Sequence, residues 1–357
     1  MRYIPALDGL RAVAVALVVA SHAANLPAGY IGVDIFFVLS GFLITSLLIA
    51  EHRDSGRISL LNFYMRRALR LFPCLWLMIG VVLLSSWMIH MPERFSSDAF
   101  EALFALGYVE NWRLIRGSPG SPFQHTWSLA IEEQFYIVWA IALGLLLNRS
   151  RRVVAVLAVL LIAAGGLCAA LWGAGASWLR IYAGSDARAF ELLAGAVLGA
   201  LYCQGTLQAA SEAYHRAIAW SAVAALIALP AIACLAAPAP EGTFLLTQLL
   251  TVSATAIVLT DVCAGSGSWA ALLLSCRPLV YIGSISYGIY LWHDPLSWLA
   301  YEHGAAPLSR ILIVAAGGVI LAAASYRYVE APALALKRRI TIGRQASPGK
   351  IPAARAA

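Results

Sequence analysis

Ten times along this chain an apolar run long enough to cross a bilayer begins and ends, at about residues 9–26, 31–50, 72–90, 127–147, 153–173, 188–204, 216–237, 243–263, 279–300 and 308–329. A spanning helix needs about 20 mainly apolar residues, because a rise of 1.5 Å per residue must cover a hydrocarbon layer of about 30 Å. Backbone N–H and C=O groups find no water there, so each run closes its hydrogen bonds within itself as a helix. The expected fold class is therefore all-α, a polytopic membrane protein of about ten transmembrane helices. Composition agrees: 357 residues that are 61% hydrophobic and 12% charged carry more apolar surface than a soluble core buries. No internal repeat is visible, so residues 1–335 are expected to form one membrane domain. Residues 336–357, rich in Ala, Pro and basic side chains, are expected to form a disordered cytoplasmic tail near anionic lipid headgroups. The stretch Ala99 to Val109 is too short to span and is placed at the interface.

The formal charge of +7 does not point to nucleic acid, because the basic residues sit in short connections between apolar runs and form no aromatic-interleaved patch. They report topology instead. With the N-terminus in the cytoplasm, only six of the 25 Lys and Arg residues (Arg94, Arg113, Arg116, Arg180, Arg188 and Arg310) fall on the far side. The expectation is a multi-pass protein of the cytoplasmic (inner) membrane with both termini inside. Arg2, Arg11, the apolar run Ala12 to Ala20 and Ser21-His22-Ala23 imitate a secretory leader. Ile4 to Gly9 is not a basic leader, however, and the next run reads as the second half of a hairpin, so the first span is expected to be retained. The six cysteines form no CxxC pair and are expected to act as small buried hydrophobes.

Ionisable side chains inside spans are costly, so they face cavities, pair with each other or carry chemistry. His22 follows Arg11 by eleven residues, which at about 100° per residue returns to the same helix face and separates the two by roughly 16 Å. One stripe of the first span thus holds a cation at one end and an imidazole at the other. Asp34, Glu132, Glu133, Glu191, His293 and Asp294 fall in the outer parts of their spans, and we expect them to converge near the depth of His22. An imidazole titrates near neutral pH and takes a proton from a hydroxyl, and Asp34 or Glu133 is expected to orient it. At the cytoplasmic end, Arg66, Arg67 and Arg70 open the third span, and guanidinium forks suit phosphates. Arg67 and Arg70, one helical turn apart, can address one ligand together.

Several motifs are familiar. Ala6-Leu7-Asp8-Gly9-Leu10-Arg11 with His22 after it, Gly32-Val33-Asp34-Ile35-Phe36-Phe37-Val38-Leu39-Ser40-Gly41-Phe42-Leu43-Ile44, the RxxR element at Arg67 and Arg70, Thr126-Trp127-Ser128-Leu129-Ala130-Ile131-Glu132-Glu133-Gln134-Phe135-Tyr136, Ser286 to His293 and Tyr328-Val329-Glu330-Ala331-Pro332 occur in this order. Together they resemble the membrane-bound acyltransferase-3 family, over residues 6 to 332. The resemblance implies a ten-helix O-acyltransferase that takes an acyl group, acetyl above all, from cytoplasmic acyl-CoA (acetyl-CoA) to a hydroxyl of an extracytoplasmic glycan or lipid-linked saccharide. It implies a catalytic role for His22 and donor binding by Arg11, Arg67 and Arg70, to which the depth of the spans adds Asp34 or Glu133 as the partner of the histidine. It brings in Ser40, Glu132, Tyr136, His293 and Glu330 as substrate-binding or supporting residues. Asp294 departs from the bulky or amide residue more usual after the histidine. No stretch resembles the SGNH-type hydrolase domain fused to some relatives, so the membrane domain or a separate partner is expected to complete transfer. Acyl-CoA, the saccharide and membrane lipids are the expected partners, with no nucleic acid. No metal is expected, since neither His22 nor His293 belongs to a local ligand motif. The alternatives are a glycan or lipid transporter or flippase, a non-catalytic scaffold, and an acyltransferase acting on a small hydroxylated metabolite.

Overall fold

The computed structural model describes residues 3–89, 91–118, 120–150, 152–235, 243–265 and 267–335. The expected tail, 336–357, and the topology residues Arg2 and Arg151 lie outside them. Among the described residues the chain is helical throughout and contains no strand. In order the helices are α1 (Pro5–Ala24), α2 (Ile31–Ser55), α3 (Leu60–Ile89), α4 (Met91–Leu106), α5 (Glu110–Ile115), α6 (Trp127–Arg149), α7 (Val153–Gly173), α8 (Trp178–Ala183), α9 (Ser185–Gln204), α10 (Thr206–Leu235), α11 (Phe244–Ala264), α12 (Trp269–Leu274), α13 (Arg277–Ser284), α14 (Ser286–Glu302) and α15 (Pro307–Ala335). The last contains two π-helical segments, Ile313–Gly317 and Tyr326–Glu330.

Local chemistry sets these boundaries. Pro5 opens α1, where its missing N–H costs nothing and its fixed φ suits a helix. Asn25 ends α1 and Gly56 ends α2, both in the left-handed conformation that caps helix C-termini. Eight helices among the described residues are long and apolar enough to cross a membrane. The two other expected spans exist as α9 and α14 but fall short on that measure: α9 carries Asp186, Arg188 and Glu191, and α14 is only 17 residues long. The expected 51–71 loop is mostly helix. Helix α2 runs on to Ser55 and α3 starts at Leu60, so the arginines occupy the first turns of a 30-residue helix. The expected interfacial stretch 99–109 is the end of α4 and the turn after it.

Helices α1, α2, α9 and α14 form the inside of the bundle, and α7 and α10 stand at its edge with Val159, Ile162, Trp220 and Ile227 exposed. Such a girdle is what lipid tails cover. A close seam joins α2 to α9. A Cβ on Gly41 would lie 1.8 Å from the carbonyl oxygen of Leu192, and one on Gly195 would lie 2.0 Å from that of Val38. Small residues let membrane helices approach this closely. Gly41→Val is therefore expected to force the helices apart and destabilise the protein by about 1–3 kcal/mol or more. Fluorescence-detected size exclusion after graded heating measures this, and an unchanged melting profile would refute the seam.

Candidate functional site

The ionisable residues expected at one depth separate into three groups, because helices that share a depth point their side chains in different directions. The first group is a fully buried ion triad. Arg188 of α9 binds Asp34 of α2 and, at 2.9 Å, Glu191 one turn further on its own helix, and all three have 0% exposure. Gln248 of α11 donates to Glu191 at 2.9 Å. Aromatic rings of Phe37, Trp127, Tyr182 and Phe244 surround the guanidinium at 5.2–6.0 Å. Cations over ring faces add attraction where water is absent. This triad ties α2, α9 and α11 together and makes no bond to His22.

The second group lines a cavity of 920 Å³ whose walls include Arg11, Ser40, Arg67, Arg70, Glu132 and Tyr136. Specific small-molecule sites typically measure about 300–1,000 Å³. The cavity mouth is formed by the α2–α3 connection, with Glu51, Asp54, Arg57 and Arg66. Arg66 pairs with Glu51 at 2.8 Å and Arg11 with Asp8 at 2.8 Å. Arg67 donates twice to Glu133, at 2.8 and 3.2 Å, and lies 3.5 Å above the Tyr136 ring. Ser40 donates to Glu132 at 2.6 Å. Arg70 lines the same cavity with its side chain accessible, and among the described residues it makes no ion pair or hydrogen bond. Its guanidinium is open to a ligand in the cavity. Glu330 of α15 is buried beside Cys74 and within electrostatic reach of Arg70.

The third group lies past the far end of that cavity. Ser128 and Tyr290 line the cavity, and their hydroxyls meet at 2.5 Å while Tyr290 also donates to the His125 carbonyl at 2.8 Å. The Tyr290 ring is 5.7 Å from the His125 ring and 5.3 Å from that of His293. Behind this wall are His22, His125, His293 and Asp294. His22 Nε2 is 3.7 Å from Asp294 Oδ1, His125 Nδ1 donates to Asp294 Oδ2 at 3.2 Å, and the His22 and His293 rings meet edge to face at 4.8 Å. His22 keeps 41% of its side chain exposed, whereas His293 is fully buried.

Two backbone bonds settle the tautomers. His22 Nδ1 faces the Val18 carbonyl at 3.0 Å and His293 Nδ1 the Tyr290 carbonyl at 2.5 Å. A carbonyl only accepts, so both Nδ1 atoms carry a proton, and in the neutral rings both Nε2 atoms present a lone pair. His22 is therefore held as a proton acceptor that points at a carboxylate able to stabilise the resulting imidazolium.

Expectation and structure thus differ at one point. Neither Asp34 nor Glu133 faces His22: Arg188 engages the first and Arg67 the second, and the carboxylate at the histidine is Asp294. Arg11, Arg67, Arg70, Ser40, Glu132 and Tyr136 do share one cavity, and His22 and His293 do meet. His125 was not among the expected site residues, and Asp294 was expected near the depth of His22 but given no role there. A second histidine one residue ahead of Thr126-Trp127-Ser128, and a carboxylate next to His293, were the available signals.

Comparison with known proteins supplies the lineage. The family model described as an acyltransferase domain matches residues 4–327. The chain is 38% identical to YrhL of Bacillus subtilis, whose name assigns it to peptidoglycan O-acetylation, over 93% of this chain and 55% of that protein. It is 34% identical to the peptidoglycan O-acetyltransferase OatA of Listeria monocytogenes, covering 93% and 56%, and 33% identical to the O-acetyltransferase OatA of Staphylococcus aureus, covering 93% and 57%. The chain spans a little more than half the length of these relatives. No solved structure matches. The order of the motifs, the helical membrane fold and the match across residues 4–327 lead to one conclusion: the chain belongs to the membrane-bound acyltransferase-3 family.

Proposed function

We propose that this protein transfers an acetyl group from acetyl-CoA to a hydroxyl of an extracytoplasmic, peptidoglycan-like glycan. One observation carries the reading: one cavity is lined by an accessible arginine, Arg70, and also by Tyr290, whose ring packs against a histidine cluster with an exposed member, His22. The named activities of the relatives support the acetyl group and the glycan acceptor. The arginine end faces the cytoplasm in this reading, as the distribution of basic residues favours.

Arg70, with Arg11 and Arg67, holds the nucleotide phosphates, and the pantetheine arm extends along Ser40 and Glu132 to bring the thioester to Ser128 and Tyr290. Charge then never has to cross hydrocarbon, because only the neutral acyl end travels to the far wall. On the other side, His22 Nε2 accepts the proton of the acceptor hydroxyl as its oxygen attacks the thioester carbonyl. The C–O ester bond forms, the C–S bond breaks and the proton passes from His22 to the departing CoA thiolate. Asp294 holds the transient imidazolium, and His125 holds Asp294.

The test uses purified full-length protein in proteoliposomes with radiolabelled acetyl-CoA and glycan-strand fragments on opposite faces. Label in base-labile ester on the glycan is expected, and its absence with competent folded protein would overturn the reading. A binding prediction isolates the donor end. Arg70→Gln removes one charge-assisted phosphate contact worth about 1.5–3 kcal/mol, so acetyl-CoA affinity should fall about 10- to 100-fold. Calorimetric titration checks this. Binding of S-acetyl-pantetheine, which lacks the nucleotide, should be unaltered, and an equal loss for both donors would remove Arg70 from the phosphate site.

A further inference from the structure

The histidine cluster has a property that the acyl-transfer reading does not use. One ring nitrogen of His22, one of His293 and a carboxylate oxygen of Asp294 all lie within 4.8 Å of one another, and for His22 the nitrogen facing Asp294 is Nε2, at 3.7 Å. Nδ1 of each imidazole faces a backbone carbonyl, so in the neutral rings the two Nε2 lone pairs and the carboxylate are the donors left for a cation. Lone pairs that face each other repel, and a cation placed between them converts the repulsion into three bonds. The donor set, two imidazoles and one carboxylate, suits a zinc-class divalent ion and leaves a fourth position open.

The outer contacts are those that metal sites require. Ligating histidines donate the other ring N–H to a carbonyl or carboxylate, which fixes the ring and raises its basicity. Val18 and Tyr290 carbonyls do this for His22 and His293, and His125 does it for Asp294 by engaging Oδ2 and leaving Oδ1 to the site. The His293 Nε2 atom is buried and has no partner among the described residues. An ion would satisfy it at a distance of about 2.0–2.1 Å after a contraction of about 1.5 Å across the cluster. Entry is open, because His22 remains 41% exposed.

We infer that a zinc-class divalent cation binds His22 Nε2, His293 Nε2 and Asp294, and that this binding silences acyl transfer by occupying the lone pair that would accept the hydroxyl proton. Binding itself is independent of the enzymatic reading, whereas the silencing rests on it.

The experiment takes tag-free full-length protein in detergent, adds Zn²⁺ alone, removes free metal on a desalting column and measures retained zinc by mass spectrometry. Acetyl transfer is followed across the same titration. One zinc per chain is expected, with transfer falling as the site fills. Affinity should drop about 100-fold in His22→Ala and Asp294→Asn, two substitutions at accessible or isosteric positions that avoid emptying the buried His293. Co²⁺ in place of Zn²⁺ should give ligand-field absorption without thiolate charge transfer, which separates this site from the six cysteines. Failure to retain zinc, or equal retention in both variants, would overturn the metal site while leaving the transferase reading untouched. Stoichiometric zinc that leaves transfer at full rate would overturn the silencing, and with it the role of His22 as proton acceptor.

Discussion

His22→Ala will abolish acetyl transfer and leave the protein folded. Loss of a positioned base costs about 10²- to 10⁴-fold in rate. The structure separates this from unfolding, because the His22 side chain is 41% exposed and its one hydrogen bond is to Val18 of its own helix. Removing it opens no buried cavity and leaves no buried donor unsatisfied. Acetyl ester on glycan is measured at matched amounts of protein that elute identically on size exclusion, and acetyl-CoA binding should be retained because the donor cavity does not include His22. Transfer at the parent rate in this variant would eliminate the imidazole from the mechanism.

Arg188→Met will lower stability more than any other single exchange considered for this fold. It leaves Asp34 and Glu191 buried, both at 0% exposure, facing the place where their shared cation stood. Breaking a buried charge pair by removing one partner costs about 3–5 kcal/mol. The same principle predicts a rescue. Replacing the whole triad with apolar residues of similar volume, as Asp34→Leu, Arg188→Met and Glu191→Leu together, should return much of the lost stability, since no uncompensated charge remains. Melting in detergent checks both variants. A single Arg188→Met protein as stable as its parent would show that the triad does not hold α2, α9 and α11 together.

The course of the chain was legible because its main signal, long apolar runs, arises from a solvent that permits little besides helices. Pro5, Asn25 and Gly56 then mark boundaries through chemistry visible one residue at a time. The extension of α3 back to Leu60 was harder to see, since three arginines look like the end of a membrane segment and yet continue its helix. The arginine end of the cavity was legible for a related reason: Arg67 and Arg70 are close in sequence and share a helix face wherever that helix packs. Partnerships at the other end were not. Asp34, Glu133 and Asp294 have similar apparent depths, and only the rotation of α2, α6 and α14 about their own axes decides that Arg188 takes the first, Arg67 the second and His22 the third. Tautomer assignment was equally hidden, because it depends on the Val18 and Tyr290 carbonyls.

The contact between Ser128, Tyr290 and the His125 carbonyl has a consequence for the cell that carries the protein. A continuous water-filled bore between donor and acceptor sides would let protons run down their gradient and drain the energy stored across the membrane. Two hydroxyls and one peptide oxygen, packed under the His125 and His293 rings, form a plug one residue thick. In the proposed reaction the thioester and the hydroxyl approach this layer from opposite faces and meet only where its side chains part.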